Sequence, residues 1–108
     1  MVQQITPRVL ADRIIAGEKI YLVDVRQPWE NEHCRLPNSV LIPLNELMEY
    51  MGDVDPPEGM PIVVYCHHGI RSLSGAALIE QAGFANVASL QGGIDAWRRQ
   101  IDPKVPTY

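Results

Sequence analysis

The sequence predicts an α/β domain with a mainly parallel central sheet of about five short strands flanked by helices. Two observations carry that expectation. First, the runs IYLVDV (20–25), SVLIPL (39–44) and IVVYC (62–66) are apolar and β-branched without in/out alternation. That is the pattern of strands buried on both faces, and NVASL (86–90) is a weaker run of the same kind. Second, helix start and stop signals separate these runs. Crossovers between parallel strands are expected to be right-handed, and the pattern does not specify strand order.

Each element has a local reason. Thr6-Pro7 reads as an N-cap followed by proline at the first helical position; Leu10 and Ile14 follow at i,i+4, and Gly17 stops the helix. After the second run, Leu44, Leu47, Met48 and Met51 recur at helical spacing and predict a short helix over 45–51. GDVDPPEGMP (52–61) is a loop by its proline, glycine and aspartate content. Ser72 to Ala82 reads as a helix closed by Gly83. Gly92-Gly93 opens a last helix with Ile94, Trp97 and Ile101 on one face, and DPKVPTY (102–108) is an extended, proline-stiffened tail. Trp29 and Trp97 are expected to pack in or against the core.

A length of 108 residues suits one domain over 1–108 with a single buried core. The net charge is −4 and no basic cluster exceeds Arg98-Arg99, which argues against nucleic acid as a partner. Apolar stretches of about six residues are far too short to span a membrane. The N-terminal MVQQITPRVLADR lacks a basic segment followed by an apolar one, so a cytoplasmic location and no membrane partner are expected. Cys34 and Cys66 do not make a disulfide framework and are expected as free thiols.

The chemistry concentrates in YCHHGIRS (65–72), between a buried strand and a helix start. In parallel α/β sheets ligands gather beyond the carboxyl ends of strands. A loop there turns its N–H groups and the following helix's N-terminal dipole toward one centre, which makes an anion site. A cysteine thiolate is an anion. Gly69 permits the required curvature, and Arg71 adds a cationic fork suited to an oxyanion, unless a salt bridge to a neighbouring element occupies it.

Raising the thiolate fraction is not the main use of such a nest. A thiol with pKa about 8.5 is roughly 3% ionised at pH 7, and lowering its pKa by ~2 units gains about 24-fold in thiolate. Intrinsic nucleophilicity falls roughly 8-fold over the same shift, leaving a net gain of about threefold. Stabilising an anionic intermediate is worth more, at about 2.7–4 kcal/mol for a well-placed N–H donor.

Cys66-x-x-Gly69-x-Arg71-Ser72 resembles the active-site loop of rhodanese-type sulfurtransferases. LVDVRQPWE (22–30) is similar to that family's D-V-R-x-P-x-E segment, LPNSVLIPL (36–44) to its I-P-G-A-x-x-I-P segment, and AGFANVASLQGGIDAW (82–97) to its G-F-x-N-V-x-x-L-x-G-G-x-x-A-W ending. The blocks stand in order over nearly the whole chain. They depart from the family pattern at Cys34-Arg35, where Gly-His is common, and at Asn38-Ser39, where Gly-Ala is common.

The resemblance implies a parallel-sheet α/β fold and an enzyme of the thiosulfate:cyanide sulfurtransferase class, with Cys66 accepting a sulfane sulfur as a persulfide. It implies that His67, His68, Gly69, Ile70 and Arg71 form the substrate-binding loop. Donors would be thiosulfate or a persulfide; acceptors would be cyanide, a thiol or a protein. The tail DPKVPTY resembles the ending of rhodanese domains attached to enzymes that sulfurate molybdopterin synthase and thiamin carrier proteins, which hints at a protein acceptor.

Three other readings stand beside this one. A docking module could keep the fold with catalysis incidental. A phosphatase or arsenate reductase is disfavoured by the loop, because the related phosphatases carry Cys-x5-Arg and this chain has four residues between Cys66 and Arg71. Redox pairing of Cys66 with Cys34 needs a Cα separation of ~5.5–6 Å that nothing in the sequence provides. No cofactor is expected. No metal is expected either, since the side chains of adjacent His67 and His68 should diverge, with one shaping the pocket and the other solvated. Asp24, Arg26 and Glu30 are expected to form a polar network that fixes the loop after the first buried run.

Overall fold

The computed structural model describes residues 2–108. Nine regular elements alternate along the chain: β1 (Gln3–Ile5), α1 (Pro7–Ile15), β2 (Tyr21–Asp24), α2 (Pro28–His33), β3 (Ser39–Leu41), β4 (Ile62–Tyr65), α3 (Arg71–Gln81), β5 (Val87–Leu90) and α4 (Gly93–Gln100). The strands form one parallel sheet in the order β1-β5-β4-β2-β3. The α/β class and the parallel sheet are as the sequence predicts. The fifth strand is β1, a polar edge strand whose two glutamines give no strand signal.

Alternate residues of the central strands feed two cores. Val23, Val25, Ile62, Val64, Cys66 and Val87 lie on one face with Ala76 and Ile79 of α3. Leu22, Val63, Tyr65 and Leu90 lie on the other with Leu10 of α1 and Ile94 of α4. Helices cover both faces, which explains the uninterrupted apolar runs. Gly75 lets α3 come close to the sheet: a Cβ there would lie 3.1 Å from a Val25 methyl and 3.2 Å from a Val64 methyl.

The helix signals hold at α1, where Thr6 Oγ1 accepts the Val9 N–H at 3.2 Å and Pro7 takes the first position. Within it Leu10 is buried but Ile14 is largely exposed, so the expected apolar pair does not share one buried face. The predicted helix over 45–51 is instead a pair of 3₁₀ turns, Leu44–Glu46 and Met51–Asp53. Leu47 is buried while Met48 points to solvent, so four apolar residues at helical spacing do not line one helix face here.

Asn38 has φ 62°, in the left-handed region where the related sequence pattern carries glycine. Asparagine is among the side chains that best tolerate that conformation, so the turn into β3 survives the substitution. Among the described residues, no helix is long and apolar enough to cross a membrane.

Candidate active site

The site lies beyond the carboxyl end of β4, the most buried strand. The chain leaves Tyr65, turns through Cys66–Ile70 and enters α3 at Arg71. Cys66 is buried, and its Sγ accepts the N–H of Gly69 at 3.1 Å and of Ser72 at 3.3 Å. Sγ also lies 3.5 Å from Ser72 Oγ, which in turn shares a 2.7 Å hydrogen bond with Ser89 Oγ of β5. Among the described residues, the N–H groups of His68, Ile70 and Arg71 meet no acceptor. A sulfur is therefore held by some loop amides while others remain open beside it, at the positive end of α3.

Two glycine pairings make this turn possible. Gly69 has φ 91°, and a Cβ on it would lie 2.8 Å from the Gly92 nitrogen. Gly93 has φ 62°, and a Cβ there would come within 2.4 Å of the His67 carbonyl oxygen and 2.5 Å of that of Cys66. Those two carbonyls accept the N–H groups of Asp95 at 3.1 Å and Ile94 at 2.9 Å. The start of α4 is thus docked on the loop through the carbonyls of Cys66 and His67, while the amides of Gly69 and Ser72 turn to the sulfur. The sequence gives Gly92-Gly93 as a tight strand-to-helix turn; that it also braces the cysteine loop is visible only in three dimensions.

Arg71 does not stand free. Its Nη1 and Nη2 donate to Glu30 Oε1 at 2.7 Å and Oε2 at 2.9 Å, a bidentate pair whose carboxylate is buried. Burial would raise the carboxyl pKa of Glu30. The hydrogen bonds from Arg71, the Gln27 N–H and the Tyr108 hydroxyl overcome that and hold it down at about 2. The same pairing raises the pKa of Arg71. A guanidinium has five N–H donors, so the fork still has donors left to offer.

Behind Glu30 lies the expected polar network: Asp24 and Arg26 form its wholly buried centre, and Glu30 joins it through the Tyr108 hydroxyl. Arg26 donates from Nε and Nη2 to the two oxygens of Asp24, each at 2.8 Å, and from Nη2 to the Cys34 carbonyl at 2.6 Å. Asn31 Nδ2 adds a 2.9 Å bond to Asp24. Burial works against the charge on Arg26, but Asp24 and Tyr108 outweigh it and raise the pKa.

Glu30 and Asn31 belong to α2, a helix the sequence analysis did not assign. It begins with Pro28 at its first position, and the backbone N–H of Gln27 donates to Glu30 Oε1 at 2.9 Å. Trp29, expected to pack in the core, is 61% exposed. It is the second residue of a polar six-residue helix whose inward side chain is the carboxylate Glu30, and it meets Tyr108 edge-on.

The histidines differ from expectation in one respect. Their rings do not diverge but stack at 3.9 Å, and His67 is sandwiched between His68 and Tyr108, whose ring lies 3.9 Å away and nearly parallel. Burial and the neighbouring His68 lower the pKa of His67. His68 is exposed and 3.8 Å from Asp95, and Ile70 is also exposed. The structure thus gathers His67, Gly69 and Arg71 about Cys66 and turns His68 and Ile70 outward. Tyr108, which the sequence marks only as part of the tail resemblance and not as a site residue, closes the cluster. Cys34 is buried in the core cluster across the sheet from that of Cys66, and both are free thiols.

Comparisons with known proteins agree with this geometry. Residues 6–100 match the sequence profile of the rhodanese-like domain. The chain is 38% identical over 104 residues to the probable adenylyltransferase/sulfurtransferase MoeZ of Mycobacterium tuberculosis, covering 96% of this chain but only 26% of that protein. It thus spans about a quarter of the length of that relative. It is 33% identical over 105 residues to a sulfurtransferase of Allochromatium vinosum, covering 97% of this chain and 96% of the other. A rhodanese-related protein from Thermoplasma volcanium has the same fold at TM-score 0.81 and 30% identity, over 96% of this chain and 97% of its own. With its loop, sheet and profile in accord, the chain belongs to the rhodanese-like domain family.

Proposed function

We propose that residues 1–108 act as one sulfurtransferase domain that carries a sulfane sulfur on Cys66. The observation that carries the reading is the sulfur's own environment: a buried Sγ held by two loop amides, with further unpartnered amides of the same loop beside it. The thiolate attacks the outer sulfur of thiosulfate, a new S–S bond forms, the donor's S–S bond breaks and sulfite leaves with that electron pair. The persulfide that remains on Cys66 carries its negative charge on the outer sulfur, where the open amides of His68, Ile70 and Arg71 can receive it. A nucleophile then takes that sulfur and returns the thiolate; with cyanide the product is thiocyanate. A persulfide donor reacts in the same way, with a thiolate leaving in place of sulfite.

Arg71, ion-paired on one edge, presents its remaining donors to the donor's negative charge. A protein acceptor is supported by the apolar side chains displayed around the loop, Ile70 at 75% exposure and Trp29 at 61%. Two free cysteines suit a reducing compartment such as the cytoplasm.

Intact mass after incubation with thiosulfate tests the reading. Wild type should gain about 32 Da, one sulfur atom, and lose it on adding cyanide, while Cys66→Ala should gain nothing. No added mass from thiosulfate or from a cysteine persulfide donor would overturn sulfur transfer and favour a docking module.

A further inference from the structure

We propose that Tyr108 is a positioning residue of this site: it fixes the Glu30 carboxylate and, through it, the guanidinium of Arg71. The polarity of its contacts is forced. Arg26 Nη1 lies 2.9 Å from the hydroxyl oxygen and, as a guanidinium, can only donate. The hydroxyl must therefore accept from Arg26 and give its own proton to Glu30 Oε2, 2.7 Å away. Glu30 then has four donors on two oxygens: Gln27 N–H and Arg71 Nη1 on Oε1, Arg71 Nη2 and Tyr108 O–H on Oε2. Four is about the capacity of a carboxylate, so it is clamped in one orientation and Arg71 with it.

The rest of the tail is built to deliver that hydroxyl. Asp102 and Val105 close turns by backbone hydrogen bonds at 3.1 and 3.2 Å, and His33 Nε2 meets the Thr107 carbonyl at 2.8 Å. The Tyr108 ring stacks on His67 and meets Trp29 and His33 edge-on at centroid distances of 5.5 Å. Three aromatic contacts hold the ring independently of the hydroxyl, so Tyr108→Phe keeps the tail seated and removes the clamp together with the hydroxyl acceptor of Arg26 Nη1.

The inference deepens the sulfur-transfer reading, since the clamp serves the same loop, but its test needs no sulfur. Arg71 held beside Cys66 favours an anionic reagent, so the rate of alkylation at Cys66 by iodoacetate relative to iodoacetamide reports on the position of the guanidinium. Tyr108→Phe should lower that ratio about three- to tenfold toward the value of Arg71→Gln, with thermal unfolding checking that the fold is kept. In the Arg71→Gln background, Tyr108→Phe should change the ratio no further. With thiosulfate as donor, Tyr108→Phe should raise KM and leave kcat within about twofold.

A wild-type ratio unchanged in Tyr108→Phe, or an effect that adds in full onto Arg71→Gln, overturns the proposal. So does equal or absent reaction of wild-type Cys66 with the two reagents. A ratio that responds to Tyr108 in a protein that takes no sulfur would sink sulfur transfer and leave the clamp standing.

Discussion

Two crossings leave the sheet side by side and end in opposite chemical states. β2 and β4 are paired in parallel, Asp24 opposite Tyr65, and each runs through a short turn into a helix that begins near the same edge. In the turn after β2 the hydrogen bonding is closed. Asp24 receives the Arg26 N–H, Nε and Nη2 and the Asn31 amide, and Arg26 spends its remaining donors on Cys34 and Tyr108. In the turn after β4 the carbonyls of Cys66 and His67 are taken by α4, the amides of Gly69 and Ser72 hold the sulfur, and those of His68, Ile70 and Arg71 meet no acceptor among the described residues. A saturated polar cluster is a joint; an unsaturated one beside a buried thiol is, on the proposed function, a site. Glu30 links them, taking its backbone contact from one crossing and its ion pair from the other.

The largest expected break in this comparison is Asp24→Asn. It leaves the wholly buried Arg26 cation without its counter-charge, which should cost about 3–5 kcal/mol in urea unfolding. Cys66→Ala, in the open crossing, should cost about 1 kcal/mol or less while removing all sulfur transfer. A loss under about 1 kcal/mol for Asp24→Asn would mean that the first crossing is not the joint its hydrogen bonding describes.

Glu30 gives a pH signature between the two. Its carboxyl is held at about 2 in the folded chain, below its ordinary value of 4.5. A group depressed in this way stabilises the fold above its unfolded pKa, and the contribution is lost as pH falls from about 4.5 through about 2. The size is about 2–3 kcal/mol. Stability measured by urea unfolding should fall more steeply over that window in wild type than in Glu30→Gln, which lacks the titrating group. Parallel curves would show that the ion pair to Arg71 contributes nothing to the fold.

The sequence exposes the open crossing more readily than the closed one, for a physical reason. Cys66 to Arg71 is local: a buried run, a glycine and a helix start fall within a few residues, so strand end, loop and candidate nucleophile are legible together. So are the strands β2, β4 and β5 and the helix α3, whose limits fall within a residue or so of their sequence signals. The clamp is not local. Glu30 meets Arg71, and both meet Tyr108, through chain segments that the sheet order alone brings together, and strand order leaves no trace in periodicity. β1 and α2 escape because QQI and PWENEH have no apolar period; one is held by pairing with β5, the other by Pro28 and the bonds of Glu30 and Asn31. The 45–51 segment misleads in the other sense, since apolar spacing fits an α-helix but the chain makes two 3₁₀ turns that bury Leu47, pack Leu44 and Met51 partly against the core and leave Met48 in solvent.

The smallest effect expected is the most discriminating for the open crossing. Ser72 offers Cys66 two things, an N–H at 3.3 Å and a hydroxyl at 3.5 Å, and only the second is removed in Ser72→Ala. The hydroxyl is also the side-chain partner of Ser89, which would be left buried and unsatisfied, so stability should drop by about 1–2 kcal/mol. Sulfur loading of Cys66 should nevertheless stay within about threefold of wild type, because the anion is held by amides that no side-chain substitution deletes. A fall of a hundredfold or more would instead make the hydroxyl a working group at the sulfur, and the contrast between a turn that saturates itself through side chains and one that works through its backbone would no longer hold.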